Sequence, residues 1–215
     1  MRRFLSLKSR TLLVARLLWT LSMPGGLLAG ELVGDTAPKL QGQELINALK
    51  QGGYVIYFRH GLTGKTGETD VSAKDLSNCA IQRNLSEEGQ AQTKAIGAGV
   101  AKHQIAVGAV YSSPYCRAMD TAKNIFGKEV EKSDVLHFAI HVDKAGRAEL
   151  SAKLRDLLAT LPQDGTNTAL VSHTANLKEA VDIWPKPEGV AHVFKPEGNG
   201  KFSYVGMLLP EEWSM

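Results

Sequence analysis

Residues 54–61 read Tyr-Val-Ile-Tyr-Phe-Arg-His-Gly. Five apolar, β-branched or aromatic residues in a row are the pattern of a strand covered on both faces; a strand with one wet face would alternate. The abrupt change to Arg59-His60 delivers charge at the strand's carboxyl end. Two later stretches repeat this design. Ala109-Val110-Tyr111 runs into Ser112-Ser113-Pro114-Tyr115-Cys116-Arg117, and Thr168-Ala169-Leu170-Val171-Ser172 runs into His173.

Helical patterns lie around and between these runs. Gln43 to Lys50 puts Leu45, Ile46 and Leu49 on one side. Ser86 is an N-cap, followed by Glu87 and Glu88, for a helix to about Lys102. Ser113-Pro114 opens a helix that Gly127 stops. Ala145 to Leu161 is amphipathic, with Leu150, Leu154, Leu157, Leu158 and Leu161. A short strand is expected at Val135 to Ile140, a linker at Glu31 to Gln41, and two antiparallel strands in Val190 to Leu209 around the turn 196–200. Strands alternating with helices predict an α/β three-layer sandwich, its central sheet mostly parallel and its helices on both faces. Gly61 to Asn84 has no periodicity, and loops of that length in compact domains are usually functional.

The chain has 215 residues, and its net charge of +3 invites a nucleic-acid reading. A count excludes it. Arg2, Arg3, Lys8, Arg10 and Arg16 all lie in the first 30 residues, which hold no acid. Without those five, 20 bases face 22 acids. No global basic field remains to attract nucleic acid. The first segment instead has the layout of an export signal: a basic start, an uncharged stretch from Leu17 to Gly30, and a small-residue exit at Ala29-Gly30. That stretch is shorter than the roughly 20 apolar residues a spanning helix needs, so no stable membrane anchor is expected. The expected organisation is a signal peptide over 1–30 and one domain over 31–215, periplasmic or secreted. Cys79 and Cys116 are the two cysteines. In an exported chain the favoured reading is a disulfide, with two separate buried thiols as the alternative.

Ligands of parallel α/β sheets sit beyond the carboxyl ends of the strands. Arg59, His60, Arg117 and His173 all emerge there. Such a cationic corner suits a phosphoryl group: arginine offers planar paired donors to phosphate oxygens, and a neutral histidine can attack phosphorus. Each residue alone reads equally well as structural; four at three strand ends are harder to reach by chance. Other phosphate chemistries fail on spacing. Gly64-Lys65-Thr66 lacks the earlier glycine of a Walker loop, because position 59 is Arg. Neither cysteine has an Arg six residues on, as a cysteine phosphatase requires, and no Gly-x-Ser-x-Gly elbow is present. The loose His137/His141 pair lacks metal-ligand spacing with acids, and no metal or cofactor is expected.

Arg59-His-Gly-x-Thr63, Leu85-Ser-x-x-Gly89, Ser112-Ser-Pro-x-x-Arg-Ala-x-x-Thr-Ala122 and Val171-Ser-His173 together resemble the signature of the histidine phosphatase (phosphoglycerate mutase-like) superfamily, in family order. The resemblance runs from about Gln43 to at least Leu177. It implies that His60 becomes phosphohistidine, that Arg59, Arg117 and His173 hold phosphoryl oxygens, and that Thr63 sits against the pocket. It implies a phosphatase acting on a small phosphorylated substrate or a phosphoprotein. Within the superfamily, the layout is similar to the exported bacterial branch of lipopolysaccharide core heptose-phosphate phosphatases. Thr174 stands where acid-phosphatase members carry Asp, so the general acid departs from that pattern. Glu149 is the expected acid, with Asp143 as its rival; both read equally as solvated helix-end charges. Glu68 and Asp70 in the long loop are further candidates. The alternative to an enzyme is a phosphate-ligand binding module of the same fold without turnover. The sequence sets no oligomeric state.

Overall fold

A computed structural model describes residues 29–64, 75–127 and 129–215. The expected leader, up to residue 28, and the loop acids Glu68 and Asp70 lie outside the described residues.

The run that opens at Tyr54 forms β2 (Val55–Arg59) at the centre of a seven-stranded sheet. The other strands are β1 (Glu31–Leu32), β3 (Val107–Ser112), β4 (Glu131–Lys132), β5 (Asn167–Ser172), β6 (Ala191–Gly198) and β7 (Lys201–Leu208). Their order is β1-β7-β6-β2-β5-β3-β4. β2, β5, β3 and β4 run parallel, as do β1 and β7, while β6 is antiparallel to both of its neighbours. The mixed α/β class and the mostly parallel sheet are as expected.

Both faces of β2 are covered, which is why its sequence does not alternate. Ile56 and Phe58 face one core with α1 (Gly42–Leu49), α2 (Glu87–Lys102) and α3 (Cys116–Phe126), together with Trp213. Val55 and Tyr57 face a second core with α4 (Lys144–Ala159) and α5 (Thr174–Val181). Phe58 is fully buried between Phe126 and Trp213. Truncating such a ring costs about 3–5 kcal/mol.

Four local expectations change. Residues 135–140 are not a strand but two 3-10 turns, Asp134–Leu136 and Ala139–His141. Their backbone groups are taken by side chains instead of a ladder: Ser172 Oγ donates to Leu136 O, Asn176 Nδ2 donates to His137 O, and Ala139 N donates to Asn176 Oδ1. The linker at Glu31 contains β1, paired with β7. α3 starts at Cys116, after an extended Tyr115. α4 ends at Ala159, leaving Leu161 exposed. The predicted hairpin is present, and its turn places Gly198, Asn199 and Gly200 at positive φ, where glycine carries no Cβ penalty.

Candidate active site

Register places the three strand ends side by side. Arg59 pairs with Ser172, and Ser112 with Val171. The ladder continues one residue further: His60 N donates to Ser172 O at 3.0 Å, and Ser113 N to Val171 O at 2.9 Å. His60 and His173 therefore leave the sheet next to each other, with ring centroids 5.4 Å apart. Arg117, on the first turn of α3, reaches them from the side. His60, His173 and Arg117 are 2%, 1% and 0% exposed.

Hydrogen bonds fix the histidine tautomers. His60 Nδ1 lies 2.9 Å from Gly61 O. A carbonyl only accepts, so the proton sits on Nδ1 and Nε2 keeps the lone pair. Arg117 Nη2 lies 3.2 Å from His173 Nδ1, and guanidinium only donates. His173 therefore carries its proton on Nε2, which donates to Ser113 Oγ at 2.8 Å. Burial, then the charge of Arg117, holds both histidines well below the usual imidazole range. Arg83 adds a third positive field felt by both rings and by Arg59.

The glycines of the motifs mark close approaches. A Cβ on Gly89, in the first turn of α2, would lie 1.9 Å from Leu62 O. That contact lets α2 clamp the loop after β2, where Ser86 N donates to Leu62 O and Thr63 bridges Leu85. Gly61 N donates to Thr121 Oγ1, tying the same loop to α3.

Cys79 and Cys116 form a disulfide, with Cα atoms 5.7 Å apart. It joins a 3-10 turn at Cys79–Ile81 to the start of α3. Beside it, buried Gln82 accepts from Cys116 N, and Arg117 Nη1 reaches Arg83 O at 3.5 Å. The covalent link thus sits one residue from the guanidinium of the corner.

Arg59 points differently from Arg117. Its Nη2 donates to Glu188 Oε1 at 3.0 Å and its Nη1 to Pro185 O at 3.2 Å. Its Nε is buried without a hydrogen-bond partner among the described residues. Burial lowers its pKa from the usual guanidinium value, and Glu188 opposes that. Glu188 also accepts from Thr63 N and Thr63 Oγ1, both at 3.1 Å. Thr63 therefore meets the corner through Glu188.

Among the described residues, the carboxylate at this corner is Glu188, not Glu149. Glu149 lies on the outer side of α4, 65% exposed and paired with Lys153. That lysine lowers its pKa, the opposite of what a proton donor needs. Asp143 is occupied as the N-cap of α4, accepting from Gly146 N. Glu188 escaped the sequence reading because its place depends on strand direction. β6 runs antiparallel to β2, so the segment before β6 lands at the carboxyl end of β2. Gly189 N donates to His60 O and Gln92 Nε2 to Glu188 O, which lock that segment in place. The two prolines and glycine around Glu188 were the available signal for an ordered turn.

Sequence reasoning also missed two aromatic walls. Tyr115 and Phe138 flank His173 at 5.1 and 4.6 Å, and the Arg117 guanidinium lies over both rings. The His137/His141 pair belongs to this wall: His137 packs edge-on to Tyr115, and His141 Nδ1 meets Tyr115 OH at 2.6 Å. No group of three or more His, Cys, Asp or Glu side chains among the described residues is placed to hold a metal ion, and no described helix is long and apolar enough to cross a membrane.

A mostly parallel sheet with helices on both faces, and Arg-His, Ser-Ser and Ser-His corners at adjacent strand ends, defines a phosphoglycerate mutase-like fold. Residues 55–137 match the family model of the histidine phosphatase superfamily (branch 1). Among solved structures, the chain is similar to the protein histidine phosphatase SixA complexed with tungstate. That match has a TM-score of 0.52 and 15% identity, over 73% of this chain and 97% of the other. It is also similar to phosphoserine phosphatase from Entamoeba histolytica in complex with 3-phosphoglyceric acid (TM-score 0.51, 18% identity, 74% and 98% covered). A third is a mycobacterial glucosyl-3-phosphoglycerate phosphatase complexed with VO3 (TM-score 0.50, 16% identity, 71% and 97% covered). No curated protein sequence matches the chain.

Proposed function

We propose that the chain is a histidine phosphatase that hydrolyses phosphomonoesters through a phosphohistidine on His60. The observation that carries this reading is the fixed tautomer of His60. Its Nδ1 proton is held by Gly61 O, which leaves a lone pair on Nε2 beside Arg117 and His173. In the first step Nε2 attacks phosphorus; the N–P bond forms as the bond to the leaving oxygen breaks, and that oxygen takes a proton from solvent water. In the second step water attacks, the N–P bond breaks, and inorganic phosphate leaves with His60 neutral again. Charge develops on the equatorial oxygens, where Arg117 and Arg59 are preorganised donors. His173 is neutral with Nδ1 facing Arg117. By accepting there, His173 holds the Arg117 guanidinium in the corner beside His60. Glu188 positions Arg59 and Thr63 for the same group.

The disulfide and the basic leader-like start support placing this enzyme outside the cytoplasm, as a domain over 31–215 that follows a signal. The likeness to the exported heptose-phosphate phosphatase branch rests on the same layout.

The test is hydrolysis of p-nitrophenyl phosphate by the exported protein and by His60→Ala. Loss of the nucleophile is expected to reduce kcat by at least about 10⁴-fold, and acid-labile phosphate should be trapped on the wild-type protein alone. Equal rates in the two proteins would overturn the enzyme; tight phosphate binding without turnover would support the binding-module alternative.

A further inference from the structure

A cleft of about 470 Å³ opens beside the corner, lined by Arg59 and Phe138 of the corner and by residues of α4, α5 and the segment before β6. Its contents are of two kinds. Arg147, Lys178 and Lys186 supply cations. Trp184 and Ile140, 55% and 60% exposed, supply an apolar surface, and Lys186 Nζ lies 5.3 Å from the Trp184 ring centroid. Large apolar side chains this exposed, grouped in a concave site, mark ligand contact more often than scattered surface residues do.

The charges do not cancel. Glu188 pairs with Arg59 and Asp182 with Lys178. Among the described residues, Glu179 is the single acid lining the cleft, against Arg147 and Lys186. Arg147 donates one guanidinium nitrogen to Val142 O. A net positive charge is left in the cleft, next to an aromatic surface.

Resting on the phosphatase reading, we infer that this cleft holds the leaving group, and that the substrate class is a small phosphomonoester whose leaving group has a ring or apolar face and a second anionic group. The phosphoryl group sits at His60. The apolar face lies along Trp184 and Phe138. The second anion meets Lys186 and Arg147. The volume falls in the range of small-ligand sites, which favours a small molecule over a protein.

The experiment uses a matched pair, 4-carboxyphenyl phosphate and its neutral analogue 4-carbamoylphenyl phosphate. Wild-type kcat/KM is expected to favour the carboxylate by about tenfold, equivalent to about 1.4 kcal/mol, chiefly through KM. Arg147→Gln/Lys186→Gln should bring the ratio to about one, and Lys186→Gln alone should lower it part of the way. Lys153→Gln, which removes a base from the outer side of α4, should leave the ratio alone. The intrinsic reactivities of the two esters cancel when variants are compared. A wild-type ratio near one, or a ratio unmoved in the double variant, overturns the cleft assignment while leaving the phosphatase in place. Faster turnover of an acidic phosphoserine peptide than of the carboxylate, lost in the double variant, overturns the small-molecule class. Hydrolysis of neither ester sinks the phosphatase reading itself. In that case calorimetry of both esters on His60→Ala decides the cleft: no preference for the carboxylate overturns it, and a preference lost in the double variant supports it.

Discussion

His60, His173 and Arg117 sit in a corner made by main-chain ladders, whereas Trp184, Lys186 and Arg147 sit in a cleft made by side chains on helices and a loop. In the corner, His60 Nδ1 meets a backbone carbonyl, and the two His173 nitrogens meet a buried hydroxyl and a guanidinium that has little room to move. In the cleft, Lys178 is exposed and pairs with exposed Asp182, Arg147 meets Val142 O, and Lys186 lies over the Trp184 ring. Fixed buried groups suit charge development in a transition state, which needs preorganisation. Exposed long side chains suit recognition, where affinity tolerates adjustment.

This contrast can be broken at four points. The largest effect is expected in the corner. Arg117→Ala removes the donor to His173 Nδ1 and should cut kcat/KM by about 10²–10³-fold, the size reported for loss of one preorganised donor. A loss of only a few-fold would mean that the corner is no more preorganised than the cleft.

The disulfide comes next. It closes a 37-residue separation in sequence. Closing such a loop removes chain entropy from the unfolded state worth about 4 kcal/mol. Cys79→Ser/Cys116→Ser should lose stability of that order in urea, and activity should fall with it because Arg117 adjoins the bridge. If stability falls while kcat at low temperature is unchanged, the bridge does not orient Arg117.

The third test is pH. Both corner histidines have pKa values lowered by burial and by Arg117. The unfolded chain, with ordinary histidines near 6.5, binds their protons first. Their contribution to stability is thus complete above pH 6.5 and is lost as pH falls toward the lowered folded values. His192, lowered to about 4 by burial, adds to the same loss between pH 6.5 and 4. Because His60 stays neutral below 6.5, the acid limb of kcat/KM should also lie below that pH. Chemical denaturation and initial rates from pH 4 to 8 check both; an acid limb centred at 6.5 would contradict the corner as described.

The smallest effects separate two carboxylates. Glu188→Gln leaves the half-buried Arg59 without its ion pair and loosens Thr63, and should raise KM about tenfold, consistent with a charge-assisted bond worth about 1.5–3 kcal/mol. Glu149→Gln, on an exposed helix surface, should change neither rate nor melting temperature measurably. A loss of activity in Glu149→Gln comparable to Glu188→Gln would restore Glu149 as the acid.

Much of this was legible in the chain. A run such as Val55 to Phe58 has one stable environment, and the residue after it must leave the sheet at the carboxyl edge. That local argument placed Arg59, His60, Ser113 and His173 with no tertiary information. The helix start at Ser86 follows from a cap that acts within three residues, whereas the Asp143 cap, which the sequence offered only as a candidate acid or helix-end charge, emerges from the structure. Residues 135–140 misled because an apolar run of that length fits a strand or a pair of turns equally well; distant Ser172 and Asn176 decide between them.

The sequence by itself determined the layered α/β class, the cluster of histidines and arginines at one sheet edge, and the absence of a global basic field. These depend on periodicity, strand-end position and counting, all local or additive. Only the tertiary structure decided that Glu188 and not Glu149 faces the corner, that Tyr115 and Phe138 wall it, and that Trp184 and Lys186 open beside it. The placement of Glu188 and its neighbours follows from β6 running antiparallel beside β2, and that of Phe138 from turns held by distant Ser172 and Asn176; no nearby residue encodes either long-range contact on its own.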